Sequence, residues 1–245
     1  MPKYDELAKF YFERRKNKSR FDYNRDMEVP AMIKALGSVK NKAILDLGCG
    51  FGDHAKKLSK KGAKKIIGLD ISSKLIGFAK QQNIRNCNFS VRSMEKVLPF
   101  KNNTFDIVLS SLAIHYVKNL QRLFSEVHRV LKKGGVFAFS IGHPVSNLLN
   151  QSQAHMIGIK QFKGKKIIYG NYFRESKVKE DLGSLGWIEI YPYTYQTIIT
   201  TALKNKFSLV NYVEMKPVPS SKKIDPEKYK VCTTLPTFVI FKWRK

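Results

Sequence analysis

Between residues 43 and 142 the chain alternates short apolar runs with amphipathic stretches. The runs are AILDLG (43–48), KIIGLD (65–70), CNFSV (87–91), FDIVLSSL (105–112) and GVFAFSIG (135–142). All but CNFSV are continuously apolar, the pattern of parallel strands covered by helices on both faces. Helical periodicity occupies about 53–61, 73–82 and 119–132, with Ser72 or Ser73 as N-cap of the second and Gly134-Gly135 ending the third. This alternation predicts a doubly wound α/β sheet.

After Pro144 the pattern changes. Residues 145–193 mix polar and aromatic positions without a clean period. TYQTIITTALKNK (194–206) then reads as a helix with Ile198, Ala202 and Leu203 on one face. FSLVNYVEMKP (207–217) and PTFVIFKWRK (236–245) read as two closing strands joined by a Pro- and Lys-rich loop.

The most informative stretch is Ile44-Leu45-Asp46-Leu47-Gly48-Cys49-Gly50-Phe51-Gly52. A strand runs into three glycines at alternate positions and then into a helix, so the backbone turns sharply and approaches a ligand with no Cβ in the way. The helix start presents free N–H groups. Asp70 ends the next strand, 22 residues after Gly48, where a carboxylate accepts from both hydroxyls of a ribose. A dinucleotide fingerprint needs glycine where this chain has Asp53. A carboxylate there also repels a pyrophosphate. Asp46, ahead of the first glycine, suits a ligand with a cationic amino group. An adenosine-containing amino acid fits both ends better than a dinucleotide does.

These residues resemble motif I and the ribose-binding acid of the class I S-adenosylmethionine-dependent methyltransferases. Leu98-Pro99-Phe100, Asn103-Thr104-Phe105-Asp106-Ile107-Val108, Ser110-Ser111-Leu112-Ala113-Ile114-His115-Tyr116 and Leu131-Lys132-Lys133-Gly134-Gly135 resemble later blocks of the same family. The resemblance covers about residues 20–145 well and weakens toward the C-terminus. Tyr23 to Ala31 and Ser140-Ile141-Gly142-His143-Pro144 resemble a bacterial group of small-molecule methyltransferases.

The resemblance implies a Rossmann-like fold with a mostly parallel seven-stranded sheet, an antiparallel last strand and a lid inserted after strand five. It divides the chain into an N-terminal helical cap (1–30), a cofactor-binding core (31–144), a substrate lid (145–193) and a C-terminal completion of the core (194–245). It implies S-adenosylmethionine as cofactor, with S-adenosylhomocysteine as product and no metal. It places Asp46, Gly48, Cys49, Gly50 and Gly52 near the methionine part and Asp70 and Ile71 at the ribose. Met94 and Glu95 are placed against the adenine, and Ser110 beside the cofactor. Many relatives carry an acid after strand three where this chain has Ser93-Met94.

Methyl transfer from a sulfonium is an in-line displacement in which the protein aligns the nucleophile and excludes water. A base is needed only for a protonated acceptor. His115 after strand four and His143 after strand five are the candidates, each of which also reads as a structural histidine at a strand end. Tyr11, Phe12 and Arg15 lie on a helix that folds over the cofactor in such families, which makes Tyr11 and Arg15 candidate substrate-binding residues. Tyr191, Tyr193 and Tyr195, with Trp187, form an acceptor wall, and an alternating strand gives the tyrosines one face.

Charge adds a question. The chain has 45 Lys and Arg against 19 Asp and Glu, a net +26. An excess that large raises nucleic acid or an anionic membrane as partner. Residues 1–122 carry 25 basic and 11 acidic side chains and residues 123–245 carry 20 and 8, so no basic arm exists. Of the cations 35 are Lys and 10 are Arg, the reverse of the Arg preference in specific phosphate and base recognition. Lysines 56, 57, 60, 61, 64 and 65 mostly share a helical face and read as solvated. The three cysteines, Cys49, Cys87 and Cys232, form no C-x-x-C pair, and His54, His128 and His155 have no metal-ligand spacing. No run of about 18 apolar residues exists and the first residues are charged, which suits a cytoplasmic monomer or homodimer.

Three functions follow from these observations. The first is transfer of a methyl group to oxygen or nitrogen of a small molecule. The second is an RNA-directed, for instance tRNA-directed, methyltransferase using the basic surface. The third is a catalytically idle cofactor-binding module.

Overall fold

The apolar runs become the centre of a seven-stranded sheet in a computed structural model that describes residues 3–144, 157–181 and 186–245. Strands β1 (Ala43–Leu47), β2 (Lys65–Asp70), β3 (Cys87–Val91), β4 (Phe105–Ser111) and β5 (Leu131–Gly142) are mutually parallel. Two short antiparallel pairs follow, β6 (Ile157–Phe162) with β7 (Lys165–Gly170) and β8 (Val178–Asp181) with β9 (Trp187–Ile190). Strands β10 (Ser208–Glu214) and β11 (Phe238–Arg244) close the main sheet in the order β10-β11-β5-β4-β1-β2-β3. Strand β11 runs against both neighbours. The fold is the expected Rossmann-like seven-stranded sheet with an antiparallel closing strand.

Helices cover both faces. On one lie α2 (Val29–Leu36), α3 (Asp53–Lys60), α4 (Ser73–Gln81) and α7 (Pro226–Thr234), whose Met32, Leu58, Ile76 and Cys232 pack with Ile44 and Ile66 of the sheet. On the other lie α5 (Leu120–Val130) and α6 (Tyr195–Lys204), whose Phe124 and Ile198 join Phe137, Phe139 and Trp243. Each Phe or Trp buried in this way contributes about 1.5–3 kcal/mol or more. Side-chain caps start the helices: Ser72 accepts from the Leu75 amide at 3.1 Å, Asn119 from Arg122 at 2.9 Å and Thr194 from Thr197 at 3.1 Å.

Two local expectations are corrected. Helix α5 ends at Val130, four residues before Gly134, because Leu131 already pairs with Phe105 and begins β5. The Pro- and Lys-rich segment after β10 is not only a loop: Asp225 caps Lys228 at 2.8 Å and starts α7.

Helix α1 (Lys3–Lys16) packs on α4. Buried Asp5 accepts from the Ser72 hydroxyl at 2.6 Å and the Lys74 amide at 3.0 Å, so the N-terminal helix docks on the start of α4. The Tyr4 and Tyr116 hydroxyls meet at 2.8 Å, joining α1 to the one-turn helix Ile114–Tyr116 that follows β4. A π-helical turn, Asn24–Glu28, leads into α2 and buries Glu28. Residues 145–156 and 182–185 of the expected lid, with His155, lie outside the described residues.

Candidate active site

Strand ends and the helix α1 enclose one cavity of about 900 Å³ at the C-terminal edge of the parallel strands. That is the edge where open α/β sheets bind ligands, and the volume lies at the upper end of the roughly 300–1,000 Å³ of enclosed small-ligand sites.

The glycine turn forms one wall. Gly48 and Gly50 line the cavity at φ +74° and +55°, conformations that favour glycine. A Cβ on Gly48 would lie 2.5 Å from the Ala113 Cβ. Asp70 accepts the Gly50 amide at 2.8 Å and the Ser72 amide at 2.8 Å, pinning the turn to the end of β2. Burial raises its carboxyl above the ordinary value in spite of those amides. Ile71, Met94 and Glu95 complete this wall. Glu95 accepts the Lys118 amide at 2.7 Å and caps no helix of its own.

Several motif residues stand elsewhere. Gly52 also has positive φ, +89°, but it meets the Phe89 ring and does not line the cavity. Cys49 is buried against Gly68. The Ser110 hydroxyl donates to the Leu47 carbonyl at 2.8 Å in the interior, so its neighbour Ser111 lines the cavity instead. These three residues pack in the interior, behind the cavity wall. Asp46 is fully buried beneath the turn, off the cavity surface, and neither carboxylate oxygen has a hydrogen-bond partner among the described residues. Burial pushes it up to about 7.

The two histidines divide. His115 lines the cavity, and desolvation pushes its imidazole down to about 4. It is therefore neutral at pH 7, with a lone pair available. Gly142 and Pro144 line the cavity on either side of His143, but its imidazole turns toward β10, where Nε2 lies 3.5 Å from Glu214 and the ring stands edge-on to Tyr195. His143 is corrected from a candidate base to a group outside the cavity.

Tyr11, Arg15, Trp187, Tyr191, Tyr193 and Tyr195 all line the cavity. The route differs for the tyrosines. Strand β9 stops at Ile190, Tyr195 begins α6, and an irregular segment rather than an alternating strand brings them together. Tyr191 and Tyr193 stack with ring centres 6.3 Å apart, and the Tyr193 hydroxyl lies 2.9 Å and 2.7 Å from the carbonyls of Val117 and Lys118. Arg15 bonds the Tyr11 hydroxyl and pairs with Asp53 at 3.2 Å and Asp22 at 3.5 Å.

Sequence reasoning left Glu28 and His54 without a role. Both are buried, with His54 Nε2 2.9 Å from Glu28 Oε2, an ion-pair approach that lacks hydrogen-bond geometry. Burial pushes His54 down, but Glu28 outweighs it and raises the imidazole to about 9. Burial pushes Glu28 up, yet His54 and the Ser111 and Ser140 hydroxyls hold it below its ordinary value. Ser140 donates to Glu28 at 2.8 Å and accepts the amide of Leu112 at 2.9 Å. Leu112 has φ +46° and lines the cavity, so the buried pair braces a strained turn of its wall. The available signal was His54 at the apolar Ala55–Leu58 face of its helix.

Among the described residues no group of three or more His, Cys, Asp and Glu side chains is arranged to hold a metal ion, and no helix is long and apolar enough to cross a membrane.

A family profile described as a methyltransferase domain matches residues 45–139. An uncharacterised protein of Haemophilus influenzae is 30% identical over 194 residues, 76% of this chain and 75% of that protein. An uncharacterised methyltransferase of Synechocystis is 42% identical over 119 residues, 48% of this chain and 55% of its own length. The crystal structure of an S-adenosylmethionine-dependent methyltransferase from Mesorhizobium loti matches with a TM-score of 0.74 at 28% identity, over 88% of this chain and 96% of that one.

Proposed function

This chain belongs to the class I S-adenosylmethionine-dependent methyltransferases, and on that premise we propose that it methylates an oxygen or nitrogen of a small-molecule acceptor. The observation that carries the reading is the single cavity, with Gly48, Gly50 and Asp70 at one end and Trp187, Tyr191 and Tyr193 at the other. A donor at the glycine end leaves space for an acceptor of modest size, enclosed by α1 and residues 187–195.

The residues fit the cofactor. Gly48 and Gly50 leave a cradle that a Cβ on Gly48 would fill, and Asp70 is held by two amides at the end of β2 with its carboxylate on the cavity wall. The orphaned Asp46 carboxylate beneath the turn suits an ammonium above it, which would favour its ionised form. When bound, S-adenosylmethionine supplies an electrophilic methyl carbon for in-line attack.

The chain's own part is positioning. Helix α1 acts as a cap held by Asp5 and Tyr4, and residues 187–193 line the acceptor end. Met94 and Glu95 would hold the adenine and Ile71 the ribose, and Tyr11 and Arg15 would contact the acceptor. Residues 31–144 and 194–245 hold the sheet that aligns them. His115 accepts the hydrogen bond of an acceptor O–H or N–H and takes its proton as the new bond forms. Its low pKa makes it a weak base, which matches transfer from a reactive sulfonium.

Calorimetry with S-adenosylhomocysteine, followed by transfer assays with small phenols and amines, tests the reading. Cofactor binding with turnover of one of them supports it. Turnover of tRNA alone favours the RNA-directed alternative, and binding without any turnover favours the idle module.

A further inference from the structure

The lysines of the molecule stay outside its cavity. Among the described residues none of the 35 lysines lines it. The lining arginines are Arg14 and Arg15 on α1 and Arg92 directly after β3, and Arg14 lies near Tyr23, whose ring meets Phe238 edge-on at 5.5 Å. Arg15 is already paired with Asp22 and Asp53.

The acceptor end has a different composition. Its walls are Ile188, Ile190 and Ile198, with the stacked Tyr191 and Tyr193. The charged side chain on that stretch of wall is Glu189, which is exposed and held by Lys177 at 2.9 Å. Among the described residues no Lys or Arg from the 187–198 stretch lines the cavity, so a carboxylate or phosphate received against that wall stays unpaired, and enclosing an unpaired charge costs several kcal/mol. Aromatic and aliphatic walls favour a flat apolar body. We infer that the acceptor is an uncharged molecule with an aromatic or similarly flat apolar body, received against Tyr191, Tyr193 and Trp187, and that anionic acceptors are excluded.

The inference rests on the methyl-transfer reading and sharpens it by naming the acceptor class. It also makes the net +26 a property of the outer surface: external lysines attract anions to the protein without compensating a negative charge inside the cavity.

Three probes with one ring system decide the matter. Protein saturated with S-adenosylhomocysteine is titrated with 2-naphthol, 2-naphthoate and 1-naphthylmethylammonium, with calorimetry as the readout. The expected result is binding of 2-naphthol at least tenfold tighter than either ion. Tyr191→Ala and, independently, Trp187→Ala weaken 2-naphthol at least fivefold while S-adenosylhomocysteine affinity stays within twofold. Trp187 is 48% exposed, so its removal leaves the core intact if the tyrosine variant folds poorly. Naphthoate binding as tightly as naphthol overturns the inference, as does absence of binding by all three probes or indifference of both variants. A protein that fails to bind S-adenosylhomocysteine at all overturns the methyl-transfer reading and this inference with it.

Discussion

The carboxylate of Asp70 accepts a hydrogen bond from the amide of Gly50 at 2.8 Å, so the end of β2 holds the turn that leaves β1. One side chain thus shapes the donor cradle and faces the cavity. Asp70→Ala removes both contributions, and a hydrogen bond to a charged group is worth about 1.5–3 kcal/mol. Affinity for S-adenosylhomocysteine falls by roughly ten- to a hundredfold in calorimetry, with the far-UV circular dichroism unchanged. Wild-type affinity in this variant would remove Asp70 from the site.

Gly48 is constrained twice, by φ +74° and by the Ala113 Cβ that a new methyl would meet at 2.5 Å. Gly48→Ala therefore costs about 2 kcal/mol or more in stability, from left-handed strain and overpacking together. Gly50→Ala meets no atom within 4 Å and is strained only by its φ of +55°. Chemical denaturation of the two variants orders them, with Gly48→Ala the less stable.

His115 offers a pH test. Its pKa of about 4 keeps it neutral across the physiological range, so kcat/KM with a neutral acceptor is flat from about pH 5.5 to 8 as far as this group is concerned, falling only in more acidic solution. His115→Ala lowers kcat by roughly a hundredfold at pH 7 and leaves S-adenosylhomocysteine binding within twofold. A rate that climbs through pH 6–7 would assign the proton to a different group.

The buried His54–Glu28 pair sets an alkaline stability limit. His54 is raised from 6.5 to about 9 in the folded protein. Its contribution is complete below the unfolded value of 6.5 and is lost as pH rises through about 9. Thermal melts between pH 6 and 10 therefore show a falling Tm. His54→Gln leaves the Glu28 carboxylate buried without its cation, destabilises by about 3–5 kcal/mol and removes this pH dependence.

The positions of β1, β2 and β4, the Ser72 cap and the glycine turn were legible because each depends on neighbours a few residues away. Asp70 was legible for the same reason, as the last residue of a strand whose length its own apolar pattern defines. The start of β5 was not, because the pairing of Leu131 with Phe105 and not the local Gly134-Gly135 signal decides it.

By itself the sequence determined the alternation of strands and helices, the donor motif and the excess of lysine, since composition and short-range spacing carry all three. Only the tertiary structure decided which motif residues meet the cavity. Asp46, Cys49, Gly52, Ser110 and His143 carry motif signals yet stand off it, while Tyr4, Leu112 and Ser111 line it without having been singled out. The physical reason is direction: a side chain points where the packing of distant elements leaves space. Glu28 meets Ser140 and Tyr4 meets Tyr116 across 112 positions each, separations that no local pattern encodes.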